Sequence, residues 1–378
     1  MSFYPTEQEK ESIRVMIDGL IDLLRRELER RGVRFYKIVP GGSTARGTFL
    51  HGDHDIDIFI VTSEPDRAIR IVRELFPRGV EKKGELEIWN TRVDDYNIDI
   101  VAVNPETVER WFTLEHTEIY SKMSNEQKRI AIALKALFKT WCAYGAENGG
   151  ISGVAVEELV RRFTEPGDTV DRGIVKVCEQ IVTHEEPFWL QDPAAERHGI
   201  PRNLLASVVE EKWRLLQKAC IEYFNTHQIP YTPPGAEKYR FIRESEGWKT
   251  IQLESTGNRH LDFHKTRSIC ITYCNRLRNS EKDVQECICD SYSDGKKVIV
   301  AVKVPEQLPP YRTVCIEPWK IGREAVEKFI EKHPDYYIDN YGRICTTVPR
   351  KITRPFEYIK QNIEKEWERY LKEKTRHS

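Results

Sequence analysis

Residues 41–60, GGSTARGTFLHGDHDIDIFI, constrain the fold more than any other part of the chain. Two glycines and a serine predict a tight turn that opens a short helix. The later run DIDIFI alternates polar and apolar residues, as a half-buried strand does. Because alternate side chains of a strand share one face, Asp55 and Asp57 should project together while Ile56 enters the core. With the apolar residues before the turn as a first strand, this order of elements predicts a small mixed α/β unit.

The acidic strand predicts a metal site. Two ionised carboxylates side by side repel one another, and a divalent cation supplies the missing counter-charge. Residues 97–101 alternate in the same way, so Asp99 joins the same face if the two strands are neighbours. Three carboxylates can hold two metal ions, one activating an attacking hydroxyl and the other steadying the leaving pyrophosphate. We therefore predict that Asp55, Asp57 and Asp99 are catalytic and bind two Mg²⁺ ions, with Asp99 carrying hydroxyl activation. An acidic strand end in solvent is the alternative.

The glycine turn predicts an anion site beside these carboxylates. Gly42 permits close approach of the backbone, and the N–H groups at Ser43 and the start of the helix point at an anion. Arg46 follows one helical turn later and can reach the same anion. An anion cradle next to a carboxylate pair is typical of a site for a metal-bound triphosphate.

This arrangement resembles the nucleotidyltransferase superfamily that includes polymerase beta, whose signature is a Gly-Ser turn followed by two acidic residues flanking an apolar one. Within it the chain is similar to the class I, archaeal-type CCA-adding tRNA nucleotidyltransferases. The further stretches that carry the similarity are residues 115–120, Lys135 with 144–147, 149–160, 192–193 with 202–203, and 339–343 with Arg350 and Arg354. The similarity is strong over residues 35–225 and looser over 296–365.

The resemblance implies an α+β fold, with a polymerase-beta-like nucleotidyltransferase head of small mixed sheet and helices, a helical neck, and a smaller α/β body and tail. We place the head at residues 1–112, the nucleotide-binding neck at 113–228, and the RNA-binding body and tail at 229–378, where IPYTPPG predicts a linker. The implied activity is template-independent addition of CMP and AMP to the 3′ end of tRNA with release of pyrophosphate. The partners are then tRNA and the nucleoside triphosphates ATP and CTP.

The resemblance also implies which side chains bind the substrates. The residues that it places on the nucleotide are Gly42, Ser43, Arg46, Thr117, Tyr120, Lys135, Tyr144 and Arg202. Tyr120 stands where the family usually has His, and Arg197 is an alternative to Arg202. A structural role stays open for Lys135, as a snorkelling surface residue, and for Tyr144, as a core ring. Arg343, Arg350 and Arg354 are placed on RNA, with a solvated hairpin as the alternative.

Charge and hydropathy limit the partners. The formal net charge is -1, so no global field draws the chain to nucleic acid. From residue 240 onward 27 Lys and Arg face 21 Asp and Glu, an excess of +6 that suits phosphates but also occurs on ordinary surfaces. The charged start and the lack of a long apolar run predict a cytoplasmic protein without a membrane partner. The oligomeric state stays open, a homodimer being one option.

The nine cysteines of a chain expected in the cytoplasm predict reduced thiols, not disulfides. Four of them lie between residues 270 and 289 with spacings C-x3-C and C-x-C. These are not the usual zinc spacings, so buried thiols are favoured over structural zinc, which stays open. Residues 268–273 are predicted to form a strand.

Other functions remain open. Enzymes that make linear or cyclic oligonucleotide signals, as oligoadenylate-synthetase-like proteins do, use a similar head, and a tRNA-end-modifying toxin would show the same residues. Three intact carboxylates argue against a non-catalytic RNA-binding relative. The sequence has no phosphate-binding loop of the GxxxxGK[ST] type and no GxSxG elbow, which leaves P-loop phosphoryl transfer and serine hydrolysis without support.

Overall fold

The computed structural model describes residues 3–53, 55–83, 87–106, 112–232 and 234–377. Contacts divide the chain into two compact units, Met1–Pro234 and Gly235–Ser378. Each unit has its own sheet and its own apolar core. The division falls inside the proline-containing stretch that the sequence predicts to be a linker, and the finer split of the first unit into head and neck remains a prediction.

Five strands form the mixed sheet of the first unit. In chain order they are β1 (Phe35–Gly41), β2 (Asp55–Thr62), β3 (Val80–Lys83), β4 (Glu87–Val93) and β5 (Tyr96–Val103). Their spatial order is β1-β2-β5-β4-β3, with β2 and β5 parallel and the other neighbours antiparallel. The parallel pair needs a long crossover, which the intervening helix and the β3–β4 hairpin supply.

Two helices cover one face of this sheet, α1 (Glu7–Arg30) and α3 (Pro65–Leu75). Thr6 caps α1 by accepting a hydrogen bond from the Glu9 backbone N–H in a capping box. Five residues of α1 recur at helical spacing and enter the core: Ile13, Ile17, Leu20, Leu24 and Leu28. They pack with buried isoleucines of β2 and β5, so the sheet is anchored on this face. This packing on one face of the sheet fixes the positions of the polar residues on the other face.

The remainder of the first unit is helical. Besides the short α2 (Gly42–Arg46), it contains α4 (Thr113–Ser121), α5 (Asn125–Thr140), α6 (Gly153–Phe163), α7 (Val170–Val182), α8 (Pro193–Arg197) and α9 (Glu210–Thr226). The central helix is α5, which Ser124 and Gln127 start with a capping box and which is buried over most of its length. Gly173 lets α7 approach α5 closely, because a Cβ there would lie 2.3 Å from Ile130 Cδ1. The predicted α+β class, with a small mixed sheet and a helical part, is confirmed.

The second unit contains two three-stranded sheets and four helices. Its elements are α10 (Ala236–Ser245), β6 (Lys249–Glu254), α11 (Arg259–Ser280), β7 (Ile288–Ser293), β8 (Lys297–Lys303), β9 (Tyr311–Ile316), α12 (Arg323–Lys332), β10 (Tyr337–Ile338), β11 (Ile344–Pro349) and α13 (Pro355–His377). The sheets have the orders β6-β8-β7 and β10-β11-β9. The core joins the first of these sheets to α11 and α13, where Trp367 is buried.

The prediction of a strand at residues 268–273 is wrong, because they lie inside α11. Asn258 caps this helix by accepting from the Leu261 backbone N–H. Its buried residues recur at helical spacing: Asp262, Phe263, Thr266, Ile269, Cys270, Tyr273, Cys274 and Leu277. A six-residue window cannot distinguish the two periods, whereas the 22 residues of the whole helix can.

The prediction of reduced thiols is also wrong, because eight of the nine cysteines form disulfides and Cys142 alone of the nine is outside them. The disulfides are Cys178–Cys220, Cys270–Cys289, Cys274–Cys287 and Cys315–Cys345. Two cysteines one turn apart on α11 face two alternate cysteines at β7. All four sulfurs of that cluster are bonded, which leaves no thiolate for the zinc that the spacing left open.

Among the described residues, no helix combines the length and the apolar content needed to cross a bilayer.

The disulfides give the first prediction. Denatured without reductant, the protein should show one thiol that reacts with a thiol reagent, and nine after reduction. The Cys178–Cys220 bridge spans 42 residues. By loop entropy, the Cys178→Ala, Cys220→Ala double variant should lose about 3–4 kcal/mol in urea unfolding. Cys142→Ala is the matched control, since it removes a buried thiol without a bridge. Nine reactive thiols before reduction would contradict the pairing.

Candidate active site

The three predicted carboxylates lie on one face of the sheet. Strands β2 and β5 are parallel neighbours, and their register sets Asp57 opposite Asp99 and Asp55 opposite Asn97. The alternate residues on both strands, among them Ile56 and Ile98, are fully buried in the core on the other face. The hydrophobic pattern therefore turns all three carboxylates to the same side.

Two asparagines orient the carboxylates. Asn90 Nδ2 on β4 donates to Asp99 Oδ1 at 2.6 Å, and Asn97 Nδ2 donates to Asp55 Oδ1 at 3.2 Å. The sequence analysis missed Asn90. The signal was available, because a two-residue turn between β4 and β5 would have set Asn90 opposite Asp99. The possible metal ligands on this face of the sheet are mainly carboxylate oxygens, which suit a hard divalent cation.

The glycine turn lies directly against this carboxylate cluster. Gly41 pairs with Asp57 across β1 and β2, and α2 begins at the next residue. Gly42 has a φ of +67°, and a Cβ on it would lie 1.9 Å from Asp57 Oδ2. Only glycine fits there. The Thr44 hydroxyl donates to the Asp55 carbonyl at 3.4 Å, which ties α2 to β2 and holds Ser43 near the acidic residues.

Arg46 ends α2 and pairs with a residue that the sequence analysis gave no role. Its side chain is 6% exposed, and its Nε lies 2.7 Å from Glu157 Oε2 on α6. Glu157 is fully buried. Burial alone would raise the pKa of Glu157, but the charges of Lys135 and Arg46 hold it below its usual value. Two adjacent glutamates in the otherwise apolar run GVAVEELV, Glu157 and Glu158, were the sequence signal for this position.

Lys135 on α5 is enclosed by the same cluster. Its Nζ donates to Glu157 Oε1 at 2.7 Å, to Thr48 Oγ1 at 3.0 Å and to the Thr48 carbonyl at 2.9 Å. Burial lowers the pKa of Lys135, and the Glu157 carboxylate opposes that shift. The side chain is 1% exposed with all three ammonium hydrogens bonded. The structure therefore contradicts a surface position for Lys135, and its contact with a nucleotide remains a prediction.

Tyr120 is buried in a similar way. The side chain is fully buried, and its hydroxyl donates to Glu158 Oε2 at 3.3 Å. Burial and the nearby carboxylates raise its pKa. The nucleotide contact implied by its place in the family motif remains a prediction. The aromatic ring at this position packs against His116 and supports α4 from inside.

The remaining nucleotide-side predictions lie on neighbouring elements. Thr117 lies on α4, which packs against α2, and its hydroxyl donates to the Thr113 carbonyl at 3.1 Å. The Tyr144 hydroxyl lies 2.8 Å from the place where a Cβ on Gly153 would be, and burial raises the pKa of this hydroxyl. Both residues remain predicted nucleotide contacts.

Arg202 pairs with a buried acid. Its Nη1 lies 3.5 Å from Asp192 Oδ2, and its guanidinium carbon lies 5.7 Å from the centre of the Phe112 ring. Asp192 Oδ1 also accepts a hydrogen bond from His116 Nε2 at 2.8 Å. Arg197 lies 3.7 Å from both Glu115 and Glu118 instead. The choice between the two arginines as the base contact remains a prediction.

The three arginines predicted to bind RNA differ in exposure. The Arg350 side chain is 4% exposed and pairs with Asp283 and with Glu281 Oε2 at 3.1 Å. Its charge is neutralised inside the second unit by these two acids. Arg343 bonds Asp339 at 2.6 Å and is partly exposed, and Arg354 is exposed. The RNA contacts of all three arginines remain predictions.

Comparison with known proteins gives the family. Residues 21–132 match the model of the nucleotidyltransferase domain. The CCA-adding enzyme of Pyrobaculum aerophilum is 31% identical over 362 residues, covering 87% of this chain and 82% of that enzyme. The CCA-adding enzyme of Pyrobaculum islandicum is 26% identical and covers 88% of this chain and 83% of its own.

Among solved structures, a cytoplasmic RNA terminal U-transferase aligns with a TM-score of 0.46 and 13% identity, covering 64% of this chain and 94% of that one. The identity and coverage of the archaeal relatives establish the family. This chain is a nucleotidyltransferase that belongs to the family of CCA-adding enzymes.

Proposed function

We propose that this chain adds CMP and AMP to the 3′ end of tRNA without a template, using CTP and ATP and releasing pyrophosphate. The observation that carries the proposal is the register that sets Asp57 beside Asp99, directly against the turn at Gly42. This places the acidic residues against a turn at which a Cβ would collide with the Asp57 carboxylate, so that only glycine fits. The names of the archaeal relatives favour addition to the tRNA end over synthesis of an oligonucleotide signal and over a toxin activity.

The acidic cluster fits a magnesium site. Asp55, Asp57 and Asp99 offer carboxylate oxygens, the ligands that Mg²⁺ prefers, and three negative charges on one face need a counter-charge. We propose that they hold two Mg²⁺ ions, which when bound lower the pKa of the attacking hydroxyl and neutralise charge on the phosphates. Asn90 and Asn97 hold two of the carboxylates in fixed orientation before substrate arrives, so little reorganisation is required.

The reaction is a displacement at the α-phosphorus. The terminal ribose hydroxyl of the RNA forms the new P–O bond, the bond to pyrophosphate breaks, and the hydroxyl proton passes to a carboxylate of the cluster or to water. Ser43 and Arg46 hold the triphosphate, while Thr117, Tyr144 and Arg202 contact the rest of the nucleotide. Positioning and electrostatics supply most of the rate acceleration.

The second unit is proposed to hold the acceptor arm of the RNA. Arg343 lies over the exposed ring of Tyr341, 5.4 Å from its centre, so a cation and a stacking surface are adjacent. Arg354 adds an exposed charge. Such pairs bind RNA by phosphate contacts and stacking without reading a long sequence.

The proposed function predicts a defined product. With Mg²⁺ and each labelled nucleotide in turn, tRNA lacking one, two or three terminal residues should be extended, and extension should stop after the final A. Intact tRNA is the control and should take no label. Short oligonucleotides formed without RNA would indicate a signalling enzyme instead, and label added beyond a complete CCA end would indicate a toxin.

Removal of one carboxylate tests the acidic cluster. Asp57→Asn keeps the size of the side chain but removes its charge, and we expect kcat to fall at least about a thousandfold in single-turnover extension. Asp66→Asn is the matched control, since Asp66 is an exposed carboxylate on α3. Near-normal extension by the Asp57 variant would refute the metal assignment.

The close approach of Gly42 to Asp57 can be tested by comparison with Gly52, a glycine with a similar φ. Gly52 has a φ of +69° and no atom within 4 Å of an added Cβ, whereas Gly42 has a φ of +67° and the Asp57 carboxylate in the way. Both Gly→Ala variants should lose about 1–2 kcal/mol of stability from the left-handed backbone. Only Gly42→Ala should also lower kcat, by about a hundredfold, because it displaces Asp57. Equal activity of the two variants would show that the close approach is unimportant.

A further inference from the structure

We propose that Glu157 is a positioning residue, which orients Arg46 toward the triphosphate and takes Lys135 as its buried counter-ion. The proposal rests on the proposed function, since it concerns how the same site holds its nucleotide.

Glu157 contacts Arg46 at the Nε of its guanidinium. The ion pair joins Arg46 Nε to Glu157 Oε2 at 2.7 Å. Within the described part of the chain, neither terminal nitrogen of Arg46 has a hydrogen-bond partner. The guanidinium is therefore held through one nitrogen while two others can donate to an anion, the fork that suits phosphate oxygens.

Glu157 is itself fixed by two donors. Its Oε1 accepts from Lys135 Nζ at 2.7 Å and from the Thr48 hydroxyl. Lys135 donates two further hydrogen bonds, to the Thr48 hydroxyl and to the Thr48 carbonyl. Because α2 is only five residues long, this contact with α5 and α6 braces the helix that follows the glycine turn.

The charges of the cluster explain why it would favour an anion. Two cations surround one carboxylate, so the buried group carries a net charge of +1 when all three are ionised. An uncompensated buried charge is costly, and the triphosphate beside Arg46 would complete the balance. Lys135 keeps Glu157 ionised, since its charge and that of Arg46 hold the pKa of Glu157 below its usual value despite burial.

A double-mutant cycle on nucleotide binding tests the proposal. The dissociation constant of CTP with Mg²⁺ is measured by calorimetry, without RNA, for the full-length protein and for Glu157→Gln, Arg46→Met and the double variant. Each single variant should bind CTP about tenfold more weakly, because Arg46→Met removes the cation proposed to hold the triphosphate and Glu157→Gln removes the ion pair that orients it. The double variant should also lose about tenfold, since Glu157 acts through Arg46.

Two further variants guard against a purely structural effect. Glu157→Asp keeps the charge and should bind CTP within about threefold of the unmodified protein. Asp290→Asn is the matched control, because Asp290 is a fully buried carboxylate paired with buried Arg243 in the second unit, and its CTP affinity should be unchanged. If Glu157→Gln does not fold, Thr48→Val, which removes one donor to Glu157, takes its place in the cycle.

The proposal is overturned if the losses multiply to about a hundredfold, if Glu157→Gln binds CTP normally, or if Asp290→Asn weakens binding equally. If the unmodified protein binds CTP tightly but extends no tRNA, the proposed function is refuted. The double-mutant cycle on CTP binding would still test the role of Glu157.

Discussion

The parallel pairing of β2 and β5 is the constraint on which the site depends. Carboxylates at Asp55, Asp57 and Asp99 repel each other, and nothing in their own chemistry would bring them together. Burial of the isoleucines between them does so, because these side chains are fully buried against α1 and α3 and fix the register of both strands. A slip of one residue would turn the acids into the core and the isoleucines into solvent, at a prohibitive cost.

A second constraint acts on α2, which forms the proposed triphosphate-binding part of the site. The helix α2 has only five residues, too few to be stable alone, so the backbone at Ser43 must be held by its neighbours. Thr44 ties it to β2, and the ion pair of Arg46 with Glu157 ties it to α6. The anion side of the site is thus supported by the helical part of the unit, whereas the metal side is supported by the sheet.

The sequence predicted those parts of the molecule whose determinants are local. The cap and apolar spacing of α1 and the alternation of β2 each need only their own residues. It failed where two distant segments decide the outcome. The pairing of Cys270 with Cys289 depends on how α11 meets β7, and the enclosure of Lys135 depends on Glu157, 22 residues away and on another helix. A family motif carries the identity of a residue but not its exposure, so Tyr120 and Arg350 could be placed only by the fold.

Buried ion pairs also bear on how the second unit can bind RNA. Arg243 with Asp290 and Arg350 with Glu281 are enclosed pairs, each of one positive and one negative residue. Each such pair removes equal numbers of both signs from the surface, so these two pairs leave the excess of +6 after residue 240 unchanged. Asp262 is also fully buried, which removes a further negative charge from the surface. The surface is therefore more basic, in proportion, than the composition of the segment indicates. The enclosed guanidinium of Arg350 follows directly after β11 and anchors the start of the segment that leads to exposed Arg354.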